Sequence, residues 1–467
     1  MYTPTIGIEV HVELKTNKKV FSHAKNNYSD KANTNICPVD LAFPGVLPVV
    51  NKEVVEKAIL ACLVLNFDIT KHMHFDRKNY YYPDLPKGYQ ITQDKTPIGR
   101  HGSITLDDGK VITIERMHIE EDTCKSLHTS GMTLLNYNRA GVPLLEIVSD
   151  PVIHSGSDAM KYLEKLREIL LYTGISDCKI EEGSMRADVN VSVSDTDNLG
   201  TKIEVKNIGS IRDVGIAIDY EISRQSKLLE AGEKLSEETR KYNQDTKSTT
   251  LMRKKEVGND YRYFPEPDIP FITITDNMIE DVRKNIPMLP DDLRKTYLSR
   301  GIESVNVEKL INNKDLSDYL NNFIDIDIDL KVISNLLLGD ISSYLNTNSL
   351  SIFDTKLSVS KMEELVSMIK SSKLSSKNVK DILVDILEKD DSVDSIVKAH
   401  NIVSLSEDEI KSIIEEVLKE NETSVIDYKN GKTNAAKFLM GMVIKKSKGM
   451  ANPQIVNKML TTMLDEM

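Results

Sequence analysis

The 467-residue sequence predicts an α+β protein: a domain built on a mixed or antiparallel sheet, followed by an all-helical domain and a small helical tail. Short runs of alternating apolar and polar residues, typical of strands, occur before about residue 290. Fourteen of the fifteen prolines lie at or before Pro290, and the remaining one is Pro453. The stretch between them lacks the residue that breaks helices. We therefore expect three domains, at residues 1–292, 293–404 and 405–467.

The predicted sheet domain contains strands with a polar face. In TIGIEVHVEL, apolar residues alternate with Glu9, His11 and Glu13. Successive side chains of a strand point to opposite faces, so a strand here places these three together. ADVNVSV does the same with Asp188 and Asn190.

Further acidic residues extend this pattern. TKIEVKNI places Glu204 on the polar face of a strand, and HIEED contributes Glu120 and Glu121. Carboxylate oxygens are the ligands that Mg²⁺ prefers, and bound Mg²⁺ commonly bridges phosphate groups. If these strands converge, the sequence predicts a magnesium site. Taken singly, each acidic residue equally suits a solvent-facing strand.

A loop rich in tyrosine and basic residues, DRKNYYYPDLPKGYQITQ, is a candidate binding loop. It contains Arg77, Lys78 and Lys87 among tyrosines that include Tyr80 and Tyr81. Basic side chains pair with phosphate oxygens, and tyrosine rings stack on bases. The alternative is a tyrosine-rich turn packed on the sheet. DYRYFPEPDIP repeats this mixture near residue 265, where a rigid linker is the alternative.

Helical periodicity predicts helices at SGSDAMKYLEKLREILLYTG and from Ile211 to Glu230. In the second domain, SSKNVKDILVDILEKD predicts a helix capped by Ser375 or Ser376. No phosphate-binding glycine motif is present: GKT at 431–433 lacks the first glycine of a P-loop. Any ATP site therefore lies on an uncommon fold.

The tail has an unusual charge distribution. Between Tyr428 and Leu464 the chain carries seven lysines and no acidic residue, although the whole protein has a formal net charge of -12. The acidic balance excludes indiscriminate nucleic-acid binding, whereas a local basic face suits a polyanion. The predicted contacts with a polyanion in this segment are Lys437, Lys445, Lys446 and Lys448. The alternative is a solvated lysine face.

No uncharged apolar run reaches 18 residues, and the first residues enter a strand pattern without a signal-peptide region. We expect no membrane association and a cytoplasmic location. The four cysteines are scattered and include no C-x-x-C pair, which indicates reduced thiols.

Several motifs together resemble one family. In chain order they are GIEVHVEL, LAFPGVLPVVN, FDRKNYYYPDLPKGYQITQ, HIEEDTCKSLH, NRAGVPLLEIVSDP, EEGSMRADVNVS, EVKNIGS and DYRYFPEPDIP. This set, with the tail YKNGKTNAAKFLMGMVIKKSKGMANPQIVNKML, resembles the B subunits of tRNA-dependent amidotransferases over the whole chain. The resemblance implies a catalytic cradle domain, a helical domain and a YqeY-like tail that binds tRNA.

The resemblance also implies an activity. Members phosphorylate the side-chain carboxylate of Glu-tRNA(Gln), or also of Asp-tRNA(Asn), with ATP, and ammonia from the glutaminase A subunit displaces the phosphate. A small C subunit joins the two. Family positions for metal binding and the kinase pocket fall on Glu9, His11, Glu121, Asp188 and Glu204.

The resemblance also places Glu13, Glu120 and Glu146 close by that site. Lys78 and Arg77 are assigned as phosphate or carboxylate contacts, while Tyr80, Tyr81, Lys87 and Asn190 complete the predicted substrate and ATP set.

Two departures from the family pattern are visible. Many members carry a four-cysteine zinc site, of which only Cys37 remains, with Asp40 in place of the next cysteine. A structural zinc needs four ligands, so we expect none. Cys124 replaces a glycine of the family motif. The rival functions are a non-catalytic tRNA-binding scaffold and a metal-dependent phosphodiesterase acting on tRNA.

Overall fold

A computed structural model describes residues 2–254, 261–371, 373–400, 402, 407–432, 434–447, 451 and 453–467. The chain divides into two compact units, Met1–Pro290 and Asp291–Met467. The first combines strands with helices, the second is helical, and the predicted α+β class is confirmed. The finer division into three domains remains a prediction.

The strands of the first unit are β1 (Thr3–Glu13), β2 (Asp68–Ile69), β3 (His72–Met73), β4 (Asp76–Asn79), β5 (Tyr89–Thr92), β6 (Gly99–Thr105), β7 (Val111–Glu121), β8 (Lys125–Thr129), β9 (Met132–Asn136), β10 (Pro143–Ser149), β11 (Met185–Ser194), β12 (Ile203–Lys206), β13 (Glu238–Asn243), β14 (Ser248–Lys254), β15 (Phe264–Pro265) and β16 (Ile272–Thr273). Its helices are α1 (Lys52–Val64), α2 (Gly156–Tyr172), α3 (Ile211–Glu230) and α4 (Asp276–Arg283).

One sheet of nine strands, in the order β14-β13-β12-β11-β1-β10-β7-β6-β2, organises this unit. Neighbouring strands are antiparallel except β12 and β13, so the sheet is mixed as predicted. The apolar side of β1, including Ile6, Ile8 and Val10, is fully buried in the core. The polar side of the same strands is therefore left to form the site.

Two smaller elements matter for the site. Strands β15, β4 and β5 form a separate three-stranded sheet, and β8 and β9 form a hairpin. The segment around β15 therefore pairs with β4, which belongs to the tyrosine-rich segment.

Capping residues mark the starts of the two long helices of this unit. Helix α2 begins after Ser155 and α3 after Ser210, and each serine side chain accepts a hydrogen bond from a backbone N–H in the first turn. Both helices lie where the periodicity predicts them.

The second unit contains α5 (Pro290–Ser299), which starts at the unit boundary, then α6 (Ser304–Ile311), α7 (Lys314–Asn321), α8 (Leu330–Leu336), α9 (Ser342–Asn348), α10 (Val359–Lys370), α11 (Ser376–Glu388), α12 (Val393–Ala399), α13 (Glu407–Glu420), α14 (Glu422–Lys429), α15 (Asn434–Lys446) and α16 (Pro453–Glu466). A π-helical turn at Leu337–Ile341 and a 3-10 turn at Ile352–Asp354 interrupt the series. Ser375 caps α11, as predicted. Helices α13 to α16 enclose a hydrophobic cluster of their own.

Candidate active site

A row of ionisable side chains crosses the middle of the large sheet. His11 on β1 lies opposite Glu146 on β10 and Arg186 on β11, and Glu146 lies opposite His118 on β7. Directly opposed residues in a sheet point to the same face, with their Cβ atoms about 5 Å apart. Strand pairing therefore assembles these groups from four separate segments.

Short distances join this row to two further carboxylates. The Nε2 atom of His11 lies 3.4 Å from a carboxylate oxygen of Glu146, 3.4 Å from Glu120 and 3.7 Å from Glu9. The Nε2 atom of His118 lies 3.2 Å from Glu146 and 3.7 Å from Glu120. We call Glu9, His11, His118, Glu120 and Glu146 the acid–histidine cluster.

The charges of this cluster compensate one another. Burial opposes protonation of His11, but the neighbouring carboxylates, led by Glu146, raise its pKa to about 9. The pKa of His118 rises to about 10 for the same reason. Burial alone would raise the pKa of Glu146, yet His118 and His11 hold it well below its ordinary value. Burial, and then the charge of Glu146, raise the pKa of Glu9.

The cluster contains two sets of donor atoms that suit a cation. Glu9, His11 and Glu146 each offer one donor atom, and these atoms lie within 4.8 Å of one another. His118, Glu120 and Glu146 form a second such set that shares Glu146. Three carboxylates give the oxygen donors that Mg²⁺ prefers.

A pocket of about 350 Å³ opens above the cluster. This volume lies in the usual range of small-molecule sites. Its lining is largely polar and consists of His11, Lys78, Tyr80, Gln90, Glu120, Asp122, Thr123, Leu144, Arg186, Ala187, Asp188, Lys206, Asn207 and Ile208.

Three cations line this pocket. Arg186 donates one hydrogen bond to Asp122, at 2.8 Å, while its buried Nε–H has no hydrogen-bond partner among the described residues. Burial opposes the charge of Lys78, but Glu120 and other nearby groups raise its pKa above the ordinary value. The pKa of Lys206 is raised in the same way, with Asp188 as its main partner. Cations beside a carboxylate-lined pocket suit an anionic ligand that also carries a metal.

Comparison with protein families decides what kind of protein carries this site. The GatB/GatE catalytic domain matches residues 4–280, and a further GatB domain matches residues 318–464. The chain belongs to the GatB family. The family predicted from the ordered motifs is thereby confirmed.

Similarity to individual members of the GatB family extends over the full length. The chain is 44% identical to the B subunit of the aspartyl/glutamyl-tRNA(Asn/Gln) amidotransferase from Ligilactobacillus salivarius, covering 100% of this chain and 99% of that protein. It is also 44% identical to the proteins of the same name from Lactococcus lactis subsp. cremoris strain SK11, over 99% of both chains, and from Listeria innocua, over 100% of this chain and 99% of the other.

The predicted metal residues divide into two groups. Glu9 and His11 belong to the acid–histidine cluster, whereas Glu121 does not. Alternation along β7 places Glu121 on the opposite face from Glu120. There, Glu121 accepts a hydrogen bond from the backbone N–H of Ile91 at 2.9 Å and pairs with Lys87. In the described structure Glu120, not Glu121, lies with the other carboxylates, and a metal-binding role for Glu121 remains a prediction.

Asp188 and Glu204 lie beside the cluster rather than within it. Lys206 contacts both, and its Nζ atom is 2.9 Å from Glu204. Thr239 also donates a hydrogen bond to Glu204 at 2.9 Å. Asp188 lines the pocket, whereas Glu204 and Asn190, which are paired across β11 and β12, do not.

The predicted binding loop is only partly directed towards the pocket. Lys78 and Tyr80 line it. Arg77 instead forms a two-pronged ion pair with Glu266, at 2.7 and 2.8 Å, so its charge is already matched. Tyr81 is 83% exposed and does not line the pocket. Of these four, the structure brings only two to the site.

His118 and Arg186 were not among the residues predicted from the sequence, and Glu146 was named only as a neighbour. The sequence does contain a signal for His118: it lies two positions before Glu120 in MHIEE, so a strand places both side chains on the same face. The place of Arg186 beside His11 depends on pairing between β1 and β11, which no local pattern reveals.

A buried ion pair occupies the region of the reduced cysteine motif. Asp40 accepts hydrogen bonds from Ser22, at 2.8 Å, and from the backbone N–H of Cys37, at 2.9 Å. The Nζ atom of the fully buried Lys19 lies 3.3 Å from Asp40. One thiol beside a lysine does not fit a tetrahedral zinc site. Cys124 is buried, and its backbone N–H bonds to Asp84.

The tail lysines are not equivalent. Lys437, Lys445 and Lys446 on α15 are all exposed, but Lys446 also contacts Glu416 at 2.9 Å and Glu420 at 2.6 Å. The acidic helix α13 therefore matches part of the lysine charge. Lys448 lies outside the described residues. Among the described residues, no helix is both long and apolar enough to cross a lipid bilayer.

Proposed function

We propose that this chain is the activating subunit of a tRNA-dependent amidotransferase. It would convert Glu-tRNA(Gln), Asp-tRNA(Asn) or both into the amide form, together with a glutaminase A subunit and a small C subunit in the cytoplasm. The observation that carries the proposal is the acid–histidine cluster beneath a cation-lined pocket, in a chain 44% identical over its length to amidotransferase B subunits.

The chemistry explains why such a site is needed. A carboxylate is a poor acceptor for ammonia because oxide is a poor leaving group. When a side-chain oxygen attacks the γ-phosphorus of ATP, the bond to ADP breaks and an acyl phosphate forms. The nitrogen of ammonia then attacks the acyl carbon, inorganic phosphate leaves, and the amide remains after loss of a proton. Both steps require stabilised negative charge on phosphate oxygens.

The residues present fit magnesium. Glu9, Glu120 and Glu146 supply oxygen donors, and His11 or His118 supplies nitrogen once it has lost its proton. When bound, Mg²⁺ would neutralise charge on the ATP phosphates.

The cations of the pocket have separate roles in this proposal. Lys78 and Arg186 bind phosphate or carboxylate oxygens. The Nε–H of Arg186, which has no hydrogen-bond partner in the described part of the chain, is available for such an acceptor. Lys206 fixes Asp188 and Glu204 at the pocket edge. Arg77, Lys87 and Glu121 instead position the loop, since each already has a partner of opposite charge.

The parts of the chain have distinct roles in the proposed function. Residues 1–292 carry the catalytic site, residues 293–404 form the helical domain, and residues 405–467 bind tRNA. A non-catalytic tRNA-binding scaffold is disfavoured because its function does not require the five ionisable residues of the acid–histidine cluster beneath the pocket. Burying several ionisable groups costs free energy, which pairing only reduces, and such clusters are concentrated at functional sites.

The test uses the reconstituted three-subunit complex with ammonium chloride as nitrogen donor, so that glutamine hydrolysis is bypassed. Glu146→Gln removes the carboxylate shared by both donor sets, and we expect the rate of amide formation to fall by about 100-fold or more. ATP-dependent conversion of both mischarged tRNAs would be measured.

Glu56→Gln is the matched control, because Glu56 lies on the exposed side of α1 in an ion pair with Lys52. It should amidate at the wild-type rate. Wild-type activity in the Glu146→Gln complex would refute the catalytic role and leave the scaffold function. Cleavage of tRNA in the presence of Mg²⁺ would instead support the phosphodiesterase.

A further inference from the structure

A buried ion pair lies behind one wall of the pocket. The side chain of Lys19 is fully buried, and its Nζ atom lies 3.3 Å from a carboxylate oxygen of Asp40. The same ammonium group donates a hydrogen bond to the backbone carbonyl of Tyr137 at 3.2 Å. Neither side chain of this ion pair lines the pocket. We call Lys19 and Asp40 the anchor pair.

Further contacts fix the carboxylate of the anchor pair. Asp40 accepts hydrogen bonds from the hydroxyl of Ser22 at 2.8 Å and from the backbone N–H of Cys37 at 2.9 Å. The ammonium group of Lys19 gives up its hydration on burial, so it depends on the acceptors that the fold supplies. The anchor pair is therefore held in one arrangement.

The anchor pair packs against the turn at residues 137–142, which precedes β10. Beside the contact with Tyr137, the backbone N–H of Val20 donates a hydrogen bond to the carbonyl of Gly141 at 3.0 Å. Gly141 has a φ of 83°, in the left-handed region that favours glycine. A Cβ atom added there would lie 3.2 Å from a carboxylate oxygen of Asp40. The turn is thus in close contact with both members of the pair.

The same turn holds a residue of the pocket wall. The backbone N–H of Gly141 donates a hydrogen bond to the carbonyl of Asp122 at 3.0 Å, and the N–H of Asp122 donates to the carbonyl of Val142 at 2.8 Å. Asp122 lines the pocket, and its carboxylate accepts the hydrogen bond from Arg186 at 2.8 Å. A continuous series of short contacts therefore joins the anchor pair to Arg186.

A second contact from the turn supports the same wall. Arg139 donates hydrogen bonds to the carbonyl oxygens of Thr123, at 3.0 Å, and of Cys124, at 3.1 Å. Thr123 lines the pocket together with Asp122. Two successive wall residues therefore depend on the position of the turn.

We propose that the anchor pair positions Arg186 for the reaction. Lys19 and Asp40 fix the turn at 137–142, the turn fixes Asp122, and Asp122 orients the guanidinium group in the pocket. This inference rests on the proposed function, which gives Arg186 a phosphate or carboxylate group to bind. Displacing a binding group by about 1 Å costs up to about 100-fold in rate, so a small movement of the turn is sufficient. The anchor pair itself touches no substrate.

The test uses the three-subunit complex, with ammonium chloride as nitrogen donor, and the double variant Lys19→Met with Asp40→Ala. This variant removes both charges, so no unpaired buried charge remains. We expect KM for ATP or for the mischarged tRNA to rise by about 10- to 100-fold, because the displaced guanidinium group binds its anion less well. A loss of folded protein alone lowers the apparent kcat and leaves both KM values unchanged.

Asp122→Asn shows whether the effect passes through Asp122, because it weakens the link between the turn and Arg186. Changes that act through one shared contact are not additive. In a complex that already carries Asp122→Asn, the double variant should therefore change each KM by less than about 2-fold. An equal rise in KM with and without Asp122→Asn would overturn the proposal, and so would unchanged KM values in the double variant.

Ser22→Ala is a milder change that decides the question if the double variant does not fold. It removes only the hydroxyl group that donates to Asp40. We expect the same KM to rise by about 2- to 10-fold, and this rise to disappear in the Asp122→Asn background. A rise that persists in that background would contradict the anchor pair.

The matched control is an exposed ion pair at the end of β1. The Nζ atom of Lys15 lies 2.9 Å from Asp177, and both side chains are more than half exposed. Lys15→Met with Asp177→Ala should leave both KM values unchanged. An equal rise in this control would show that the loss of any ion pair suffices, which contradicts a specific role for the anchor pair.

The two proposals fail in different ways. A wild-type complex that forms no amide contradicts the proposed function. The dissociation constant of ATP with Mg²⁺, measured by calorimetry, then replaces KM, and equal effects with and without Asp122→Asn overturn the anchor pair. A complex that forms amide but shows additive or unchanged KM values contradicts the anchor pair alone.

Discussion

Charged side chains are costly to bury, and the residues beneath the pocket reduce that cost by pairing. His11 and His118 carry raised pKa values because Glu146 and its neighbours outweigh the effect of burial. The charges of these histidines and carboxylates offset the cost of burial because the groups lie within about 4 Å of one another. Glu121 shows the contrast, because it satisfies its charge with Lys87 and a backbone N–H on the other face of β7.

The cost of an unpaired buried charge also predicts a stability effect outside the acid–histidine cluster. Asp40→Ala removes the carboxylate that pairs with the fully buried Lys19. The lysine then keeps only its hydrogen bond to the carbonyl oxygen of Tyr137. Removing one partner of a buried pair costs about 3–5 kcal/mol, so the first urea transition of the full-length chain should move to a lower concentration. Circular dichroism during the titration measures this shift.

The double variant Lys19→Met and Asp40→Ala provides the control. It removes both charges, and much of the lost stability should return. If the double variant is no more stable than Asp40→Ala, the unpaired lysine is not the cause.

At the scale of elements, close approach between helices depends on glycine. A Cβ atom added to Gly156 at the start of α2 would lie 2.5 Å from the carbonyl oxygen of Gly215 on α3. This oxygen belongs to the backbone of α3, so it cannot move aside as the flexible end of a side chain can. The two helices therefore pack through a contact that only glycine permits.

Gly156→Ala should accordingly lower the free energy of unfolding by about 1–3 kcal/mol. Gly441→Ala on α15 is the matched change, because no heavy atom of the described residues outside the backbone of α15 itself lies within 4 Å of its added Cβ. In an open helix position alanine stabilises by about 1 kcal/mol. Opposite shifts in thermal unfolding are expected, and equal shifts would contradict the steric explanation.

At the scale of the whole molecule, the net charge of -12 conceals local differences. The lysine run of the tail contains no acidic residue in sequence, yet α13 brings Glu416 and Glu420 to Lys446. Lys437 and Lys445 remain exposed on α15. A basic face in this unit is therefore narrower than the sequence alone indicates.

We expect the variant Lys437→Glu and Lys445→Glu to weaken tRNA binding and to flatten its dependence on salt. The slope of log affinity against log salt should decrease by roughly one for each lysine that contacts a phosphate. Lys446→Gln is the comparison and should change the slope less, since its charge is already paired. An unchanged slope in the double variant would exclude this surface from the tRNA interface.

Local sequence was sufficient for much of the architecture. Alternation placed Glu9 and His11 together on one face of β1, and capping serines and periodicity located α2 and α3. These features depend on residues a few positions apart, so the chain segment itself determines them. The ordered motifs also determined the family.

Tertiary structure alone decided which strands are neighbours. The pairing of β1 with β10 and of β10 with β7 brings Glu146 and His118 to His11, and it excludes Glu121. A register shift of one residue would reverse every side chain of a strand, so membership of the cluster depends on pairing between strands that are distant in sequence, such as those of His11 and Glu146. The rings of Tyr80 and Tyr261 meet for the same reason. Composition and spacing could name candidates, but only the paired sheet could assemble them.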